Sequence, residues 1–226
     1  MTGPENPALE ASFLRQLDHR HVEQLLEDAV HLRLPPGGSI YREGDQPRAG
    51  LVVDGLLRVF MESPAGRQVT VRYAGPGDVL GIAAAVGGPP PVSVEAVIES
   101  ELRMMSVERI LRLGALEPAV AMALAEELTR RLYETLHELA GNAFSPVPER
   151  VARHVLDLAV GTREPGGALT ATVTHQELAD AVASSREVVS RALADLRRSG
   201  TLETGPAGLH IRDPQKLHAI ATSSVR

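Results

Sequence analysis

The 226-residue chain has no cysteine, no tryptophan, and only three phenylalanines and three tyrosines. Without a thiolate there can be no cysteine nucleophile, disulfide, cysteine-ligated zinc or iron–sulfur cluster, or thiol-based sensor, and the fold is indifferent to redox compartment. An aromatic content of 3% leaves little to stack on unpaired bases, which argues against a reader of single-stranded nucleic acid. Long apolar runs are also missing. No stretch reaches the roughly eighteen uninterrupted apolar residues of a membrane span, and the opening MTGPENPALEAS has neither the basic start nor the apolar middle of a secretory signal. The expectation is a soluble, cytoplasmic protein with no membrane partner.

Signatures of catalysis are lacking as well. There is no G-x-S-x-G elbow and no Walker A loop, and Gly75-Pro76-Gly77 precedes a strand rather than a helix, so it is not a dinucleotide loop. A metal-dependent barrel enzyme needs clustered histidine and carboxylate ligands, but the strand-rich segment holds only His31, with no H-x-H pair. Haem ligation through His19, His21, His31 or His137 lacks a second ligand, and each of these reads as a solvated side chain. No catalytic residue, metal or cofactor is expected, and the chain does not read as an enzyme.

The chain is long enough for one large or two modest domains. Its net charge of −6 is unevenly spread: 13 basic against 20 acidic residues through Phe144, then 10 against 9 from Ser145 onward. The near-neutral C-terminal part leaves room for a polyanionic partner. Arginine outnumbers lysine 22 to 1, a bias that reads as genomic composition.

From Ala29 to about Ser106 the sequence is short β-runs cut by glycine and proline: His31-Leu34, Ser39-Tyr41, Gly50-Val53, Leu56-Met61, Gln68-Tyr73, Val92-Ile98 and Leu102-Met105. Asp54-Gly55 reads as a hairpin turn and Gly75-Pro76-Gly77-Asp78 as a loop. Punctuation this regular favours an antiparallel barrel or jelly roll. After Glu117-Pro118 a long helix begins, with Ala125, Leu128, Leu132, Thr135, Leu139 and Asn142 spaced alternately by three and four. That stripe serves either a helix packed on its own barrel or a dimer seam. At ~1.5 Å per residue the helix is longer than one face of a small barrel requires, which favours the seam. Phe144-Ser145-Pro146-Val147-Pro148 then breaks the helix and places a hinge and domain boundary.

Beyond the hinge, Glu149-Val160 reads as helix, Gly161-Gly167 as loop and Ala168-Val173 as a short strand. Thr174-His175-Gln176-Glu177 is a capping box opening a helix through Leu178, Ala179 and Val182. Ser184 or Ser185 caps a second helix that buries Val188, Val189, Ala192, Leu193 and Leu196. Two helices joined by a three-residue turn make a helix-turn-helix. The outer face of the second shows Arg186, Glu187, Ser190, Arg191, Asp195 and Arg198. An arginine fork suits guanine O6 and N7 in the major groove, and a glutamate suits cytosine N4; the plainer alternative is a solvated face with an ordinary Glu187–Arg191 pair. Thr201-Thr204 and Leu209-Ile211, paired across Gly205-Pro206-Ala207-Gly208, supply the wing of a winged helix.

Tyr41-Arg42-Glu43-Gly44-Asp45, the run from Gly50 to Val59, Gly77-Asp78-Val79-Leu80-Gly81, Arg130-Arg131-Leu132 and Thr174 to Leu193 match, in that order, motifs of the CRP/FNR family of bacterial transcription regulators, which the chain resembles along nearly its whole length. The resemblance implies an α+β architecture: an N-terminal antiparallel β-barrel or jelly roll of the cyclic-nucleotide-binding type (1–115), a long dimerisation helix (116–144), and a C-terminal winged helix-turn-helix (145–226). It further implies base reading by Arg186, Glu187, Ser190 and Arg191, and phosphate contacts by Thr174, His175, Gln176, Ser184 and Ser185. The implied dimer interface runs through Ala125, Leu128, Leu132, Thr135 and Leu139. Double-stranded DNA with an inverted repeat, a second copy of the chain and RNA polymerase are the implied partners. Family members commonly have glycine in the turn where this chain has Ala183; an alanine at positive φ costs about 1 kcal/mol and leaves the motif standing.

In cyclic-AMP-responsive members the corresponding loop carries a glutamate for the ribose and an arginine for the phosphate, and here Ile82 and Val92 stand at those positions. Losing a bidentate, charge-assisted contact removes the strong kind of hydrogen bond, so no tight cyclic AMP binding is expected. Gly81, Ile82, Ala83, Val92, Ser93 and Thr135 remain the candidate effector pocket, for an uncharged small molecule of unknown identity or for none. The competing reading is a ligand-binding or dimerisation module without DNA recognition, which a gel shift against random duplex separates.

Overall fold

The structure is a computed structural model that describes residues 7–62, 68–161, 168–206 and 208–223, of which 137–144 are described by their backbone. It divides into two compact units, Met1–Tyr133 and Glu134–Arg226.

The first unit opens with α1 (Pro7–Ala11), a 3₁₀ turn (Phe13–Gln16) and α2 (His19–Leu26). Eight strands follow: β1 (Val30–Leu34), β2 (Ser39–Tyr41), β3 (Ala49–Asp54), β4 (Leu57–Glu62), β5 (Gln68–Ala74), β6 (Val79–Leu80), β7 (Ser93–Ala96) and β8 (Ser100–Met105), with the short helix α3 (Ile82–Gly87) between β6 and β7. They form two antiparallel sheets ordered β1-β8-β3-β6 and β2-β7-β4-β5, a jelly roll rather than a closed barrel. Alternation along each strand divides the side chains between two cores. Val52 and Leu102 point between the sheets to meet Leu57, Val59 and Val94. Leu51 and Met105 point the other way, under Phe13, Leu14, Leu25 and the following helices. Those helices are α4 (Val107–Leu116), capped by Ser106, and α5 (Pro118–Phe144), which crosses from one unit into the other.

The structure corrects two sequence expectations here. Asp54-Gly55 is not a hairpin, because β3 and β4 lie in different sheets. The turn is a corner between sheets: Gly55 sits at φ 101, and a Cβ there would lie 2.2 Å from Ser100 Oγ. Ser100 itself braces the corner by accepting from the Leu56 N–H at 3.2 Å. His21 is not solvated but buried, with Nδ1 2.9 Å from Asp18 Oδ1 and Nε2 3.4 Å from Glu117 Oε2.

The second unit contains the end of α5, then α6 (Val147–Gly161), β9 (Thr170–Ala171), α7 (His175–Ala181), α8 (Arg186–Arg198), β10 (Leu202–Gly205), β11 (Gly208–Ile211) and α9 (Pro214–Ala221). The helix break narrows to Ser145-Pro146. β10 and β11 pair from Leu202↔Ile211 to Gly205↔Gly208, and β11 pairs with β9, giving the small sheet of a winged helix. Of the expected tip, Ala207 lies outside the described residues, as do residues 162–167 of the expected loop.

Candidate nucleic-acid interface

The α7–α8 pair is built from local signals that close as the sequence predicts. Thr174 Oγ1 accepts from the Glu177 N–H at 3.2 Å while the Thr174 N–H donates to Glu177 Oε2 at 2.8 Å, the reciprocal capping box. The Thr174 N–H, together with its hydroxyl, holds the Glu177 carboxyl below the ordinary glutamate range. Ser185, not Ser184, caps α8. Between the helices Ala183 takes φ 47, the left-handed conformation that the turn demands. Leu178, Ala179, Val182, Val189, Ala192, Leu193 and Leu196 are all buried and hold the two helices against each other. Val188 is only half-buried.

With that side turned inward, the opposite face of α8 is left to solvent. Arg186, Glu187 and Arg191 are exposed at its N-terminal half. Glu187 is held as a carboxylate, its pKa lowered first by its own backbone N–H, then by the Ser185 hydroxyl, with Arg186 and Arg191 nearby. Ser190 is placed differently: it is half-buried and hydrogen-bonded to His175 Nδ1 at 2.9 Å, so both side chains are engaged across the two helices. Gln176 is exposed and donates to Asp180 Oδ1 at 2.9 Å; Ser184 is half-buried and Ser185 exposed. Sequence reasoning gave no part to Arg150, whose guanidinium reaches the Val182 carbonyl at the end of the motif's first helix. Nothing in the hydrophobic period marks such a contact.

In the first unit a cavity of about 370 Å³ lies beside α3. Gly81, Ile82, Ala83 and Val92 line it, with Leu128 and the Pro89-Pro90-Pro91 run; Ser93 is not on its wall and instead accepts from the Glu43 N–H at 3.1 Å. Gly81 is fixed by space as well as by φ 82, because a Cβ there would collide with the Arg48 carbonyl. The wall also carries Tyr41, Arg72, Glu127 and Arg131, a polar end that the sequence did not disclose. Glu127 is buried and takes Arg130 Nε at 2.9 Å and Arg131 Nε at 2.8 Å, while Arg131 also pairs with Asp78. Burial pushes the Asp78 carboxyl up, but Arg131, Arg72 and the Gly75 N–H outweigh it and hold the group below the ordinary aspartate range. Burial raises the Tyr41 phenol, so it stays neutral at physiological pH.

Along α5, Ala125 and Leu132 are exposed, with Met122 and Tyr133 beside them, whereas Leu128 turns inward against the first unit's core. Thr135 is half-buried and Leu136 exposed, both in the second unit; the side chain of Leu139 lies outside the described residues, as do those of His137 and Asn142. Among the described residues no group of three or more histidines, aspartates and glutamates is placed to hold a metal ion, and no helix is long and apolar enough to cross a membrane.

Two family models match the chain: a cyclic nucleotide-binding domain over residues 31–116 and a Crp-like helix-turn-helix domain over 149–220. The CRP-like cAMP-activated global transcriptional regulator of Mycobacterium tuberculosis is 34% identical over 214 residues, covering 92% of this chain and 95% of the relative. The cyclic AMP receptor protein of Thermus thermophilus is 35% identical over 189 residues, 83% of this chain and 86% of that protein. The solved structure of the Thermus thermophilus catabolite activator protein is similar with a TM-score of 0.50 at 30% identity, over 93% of this chain and 98% of the other.

Proposed function

The chain belongs to the CRP family of DNA-binding transcription regulators, and on that footing we propose that it binds an inverted-repeat operator as a homodimer. The observation that carries this reading is the outward face of α8, on which Arg186, Glu187 and Arg191 are exposed while the opposite face is locked against α7. Two such faces about 34 Å apart fit successive major grooves. Arg186, Glu187 and Arg191 read base edges. Ser190 contributes through its bond to His175, and Thr174, Gln176, Ser184 and Ser185 approach the phosphates from the N-termini of α7 and α8, where backbone N–H groups favour an anion. The solvent-facing apolar residues of α5, Met122, Ala125, Leu132 and Leu136, form the dimer seam. The functional parts are an effector domain over 1–115, the dimerisation helix over 116–144 and the DNA-binding domain over 145–226, with RNA polymerase as the protein partner such a regulator would meet.

The effector is not cyclic AMP at physiological concentration. Ile82 and Val92 line the cavity where that ligand would need a carboxylate and a guanidinium, and the guanidinium of Arg131 is engaged with Glu127 and Asp78. An uncharged ligand, or none, suits the remaining wall. Selecting bound duplexes from a random pool tests the whole reading. An inverted repeat is expected, with Arg191→Ala losing about 1 to 3 kcal/mol and relaxing choice at one base position. Undiminished operator affinity in that variant would remove α8 from base reading. Calorimetry with cyclic AMP should give no saturable heat in the micromolar range.

A further inference from the structure

Arg150, the fourth residue of α6, spends its side chain on two main-chain carbonyls rather than on any carboxylate. Its Nε and Nη2 donate to the Val182 carbonyl at 3.1 and 2.9 Å, and its Nη1 donates to the Ser145 carbonyl. Both acceptors sit at helix ends. Val182 is the C-cap of α7, immediately before the left-handed Ala183, and the N–H groups that follow it go elsewhere: Ala183 to the Asp180 carbonyl, Ser184 to that of Ala179. Ser145 lies between α5 and α6. The Glu149 N–H that would ordinarily reach back to it bonds Pro146 instead, as does the Arg150 N–H. A carbonyl at a helix C-terminus carries partial negative charge and needs a donor when it is shut away from water.

We propose that Arg150 is a positioning residue for DNA recognition: by clamping the Val182 carbonyl to the end of α5 through Ser145, it sets the orientation in which α8 is presented. The inference rests on the reading of α8 as the base-reading helix. A planar fork can serve two carbonyls at once in fixed geometry, which an ammonium on a flexible stem cannot. If the clamp is lost, the α7–α8 turn is free to shift, and a shift of about 1 Å is enough to misalign bidentate base contacts. Contacts to the phosphate backbone tolerate such a displacement.

The test uses the full-length protein and measures affinity for the selected operator and for random duplex across a salt series, in Arg150→Ala, Arg150→Lys and Arg191→Ala. Arg150→Ala should lose at least about tenfold on the operator, with random-duplex affinity within about twofold of the parent and an unchanged salt slope. Arg150→Lys should fall between, since one carbonyl can still be met. A purely structural role would lower both affinities in proportion to the folded fraction, read by urea titration under the same conditions. The proposal is overturned if Arg150→Ala keeps the parental ratio of operator to random-duplex affinity; if that variant does not fold, the same ratio in Arg150→Lys decides. An unweakened Arg191→Ala would instead overturn the reading of α8, whatever Arg150 does.

Discussion

Ala183 shows most directly what a single residue contributes. It adopts φ 47 without glycine's freedom, and its side chain is exposed, so the Cβ adds strain without compensating packing. Ala183→Gly should therefore stabilise the protein by about 1 kcal/mol, less the extra entropy of glycine in the unfolded chain, as read from the urea midpoint at constant slope. The Glu177 cap gives a pH signature. Its carboxyl titrates lower folded than unfolded, so the stability it contributes is present above the ordinary glutamate value and is lost as pH falls through the folded one. In Glu177→Gln the amide oxygen can still accept from the Thr174 N–H but does not titrate. The parent should thus lose stability relative to the variant between neutral and acid pH, and parallel melting curves across that interval would contradict the cap's charge. The turn strain and the cap were both legible in the sequence, because capping and turn chemistry act within three or four residues.

At the level of elements, legibility ended where partners are distant in sequence. The winged helix-turn-helix was readable because each helix start carries its own signal. Asp54-Gly55 was misread because a hairpin and a corner between sheets demand the same turn residues; only the pairing of β3 with β8 and of β4 with β7 distinguishes them. α3 had no side-chain cap to announce it, since Gly81 opens it. The polar end of the cavity joins Arg72 on β5 to Glu127 and Arg131 on α5, which no local pattern could bring together. Leu128 and Leu132 looked equivalent in the heptad count, yet one is packed inside and the other is 56% exposed. Their substitutions should separate. Leu132→Glu should halve the mass measured by light scattering and impair operator binding, lowering the melting temperature only by the loss of the partner's mass-action stabilisation, so that it no longer depends on protein concentration. Leu128→Ala should cost roughly 2 kcal/mol or less of stability, as expected for a half-buried leucine, and leave the mass that of a dimer. Equal dimer mass in both variants would place the seam elsewhere.

Over the whole molecule the charge is a poor guide to a DNA partner, since the net value is −6 and the residues from Ser145 onward carry 10 basic against 9 acidic groups. How the arginines are disposed matters more than their number. Arg198 is paired with Asp195 and Arg212 with Glu203, Arg197 donates to Thr204 at 2.9 Å, and Lys216, the chain's one lysine, caps α8 by donating to the Ser199 carbonyl at 2.6 Å. Arg186 and Arg191 face outward, and most of the proposed phosphate donors are uncharged hydroxyl, amide or backbone groups. Counterion release should accordingly be modest: among the described residues, Arg186 and Arg191 bring two positive charges per subunit into the groove while they read bases, and if these displace counterions as phosphate contacts do, the slope of log affinity against log salt is roughly −4 for a dimer, far shallower than for strongly basic readers. Random-duplex binding should be weak at physiological salt, and the Leu132→Glu monomer should show about half the dimer's slope. A slope near −8 would mean that the pairs Arg198–Asp195 and Arg212–Glu203 open on DNA and that their arginines join the phosphate contacts.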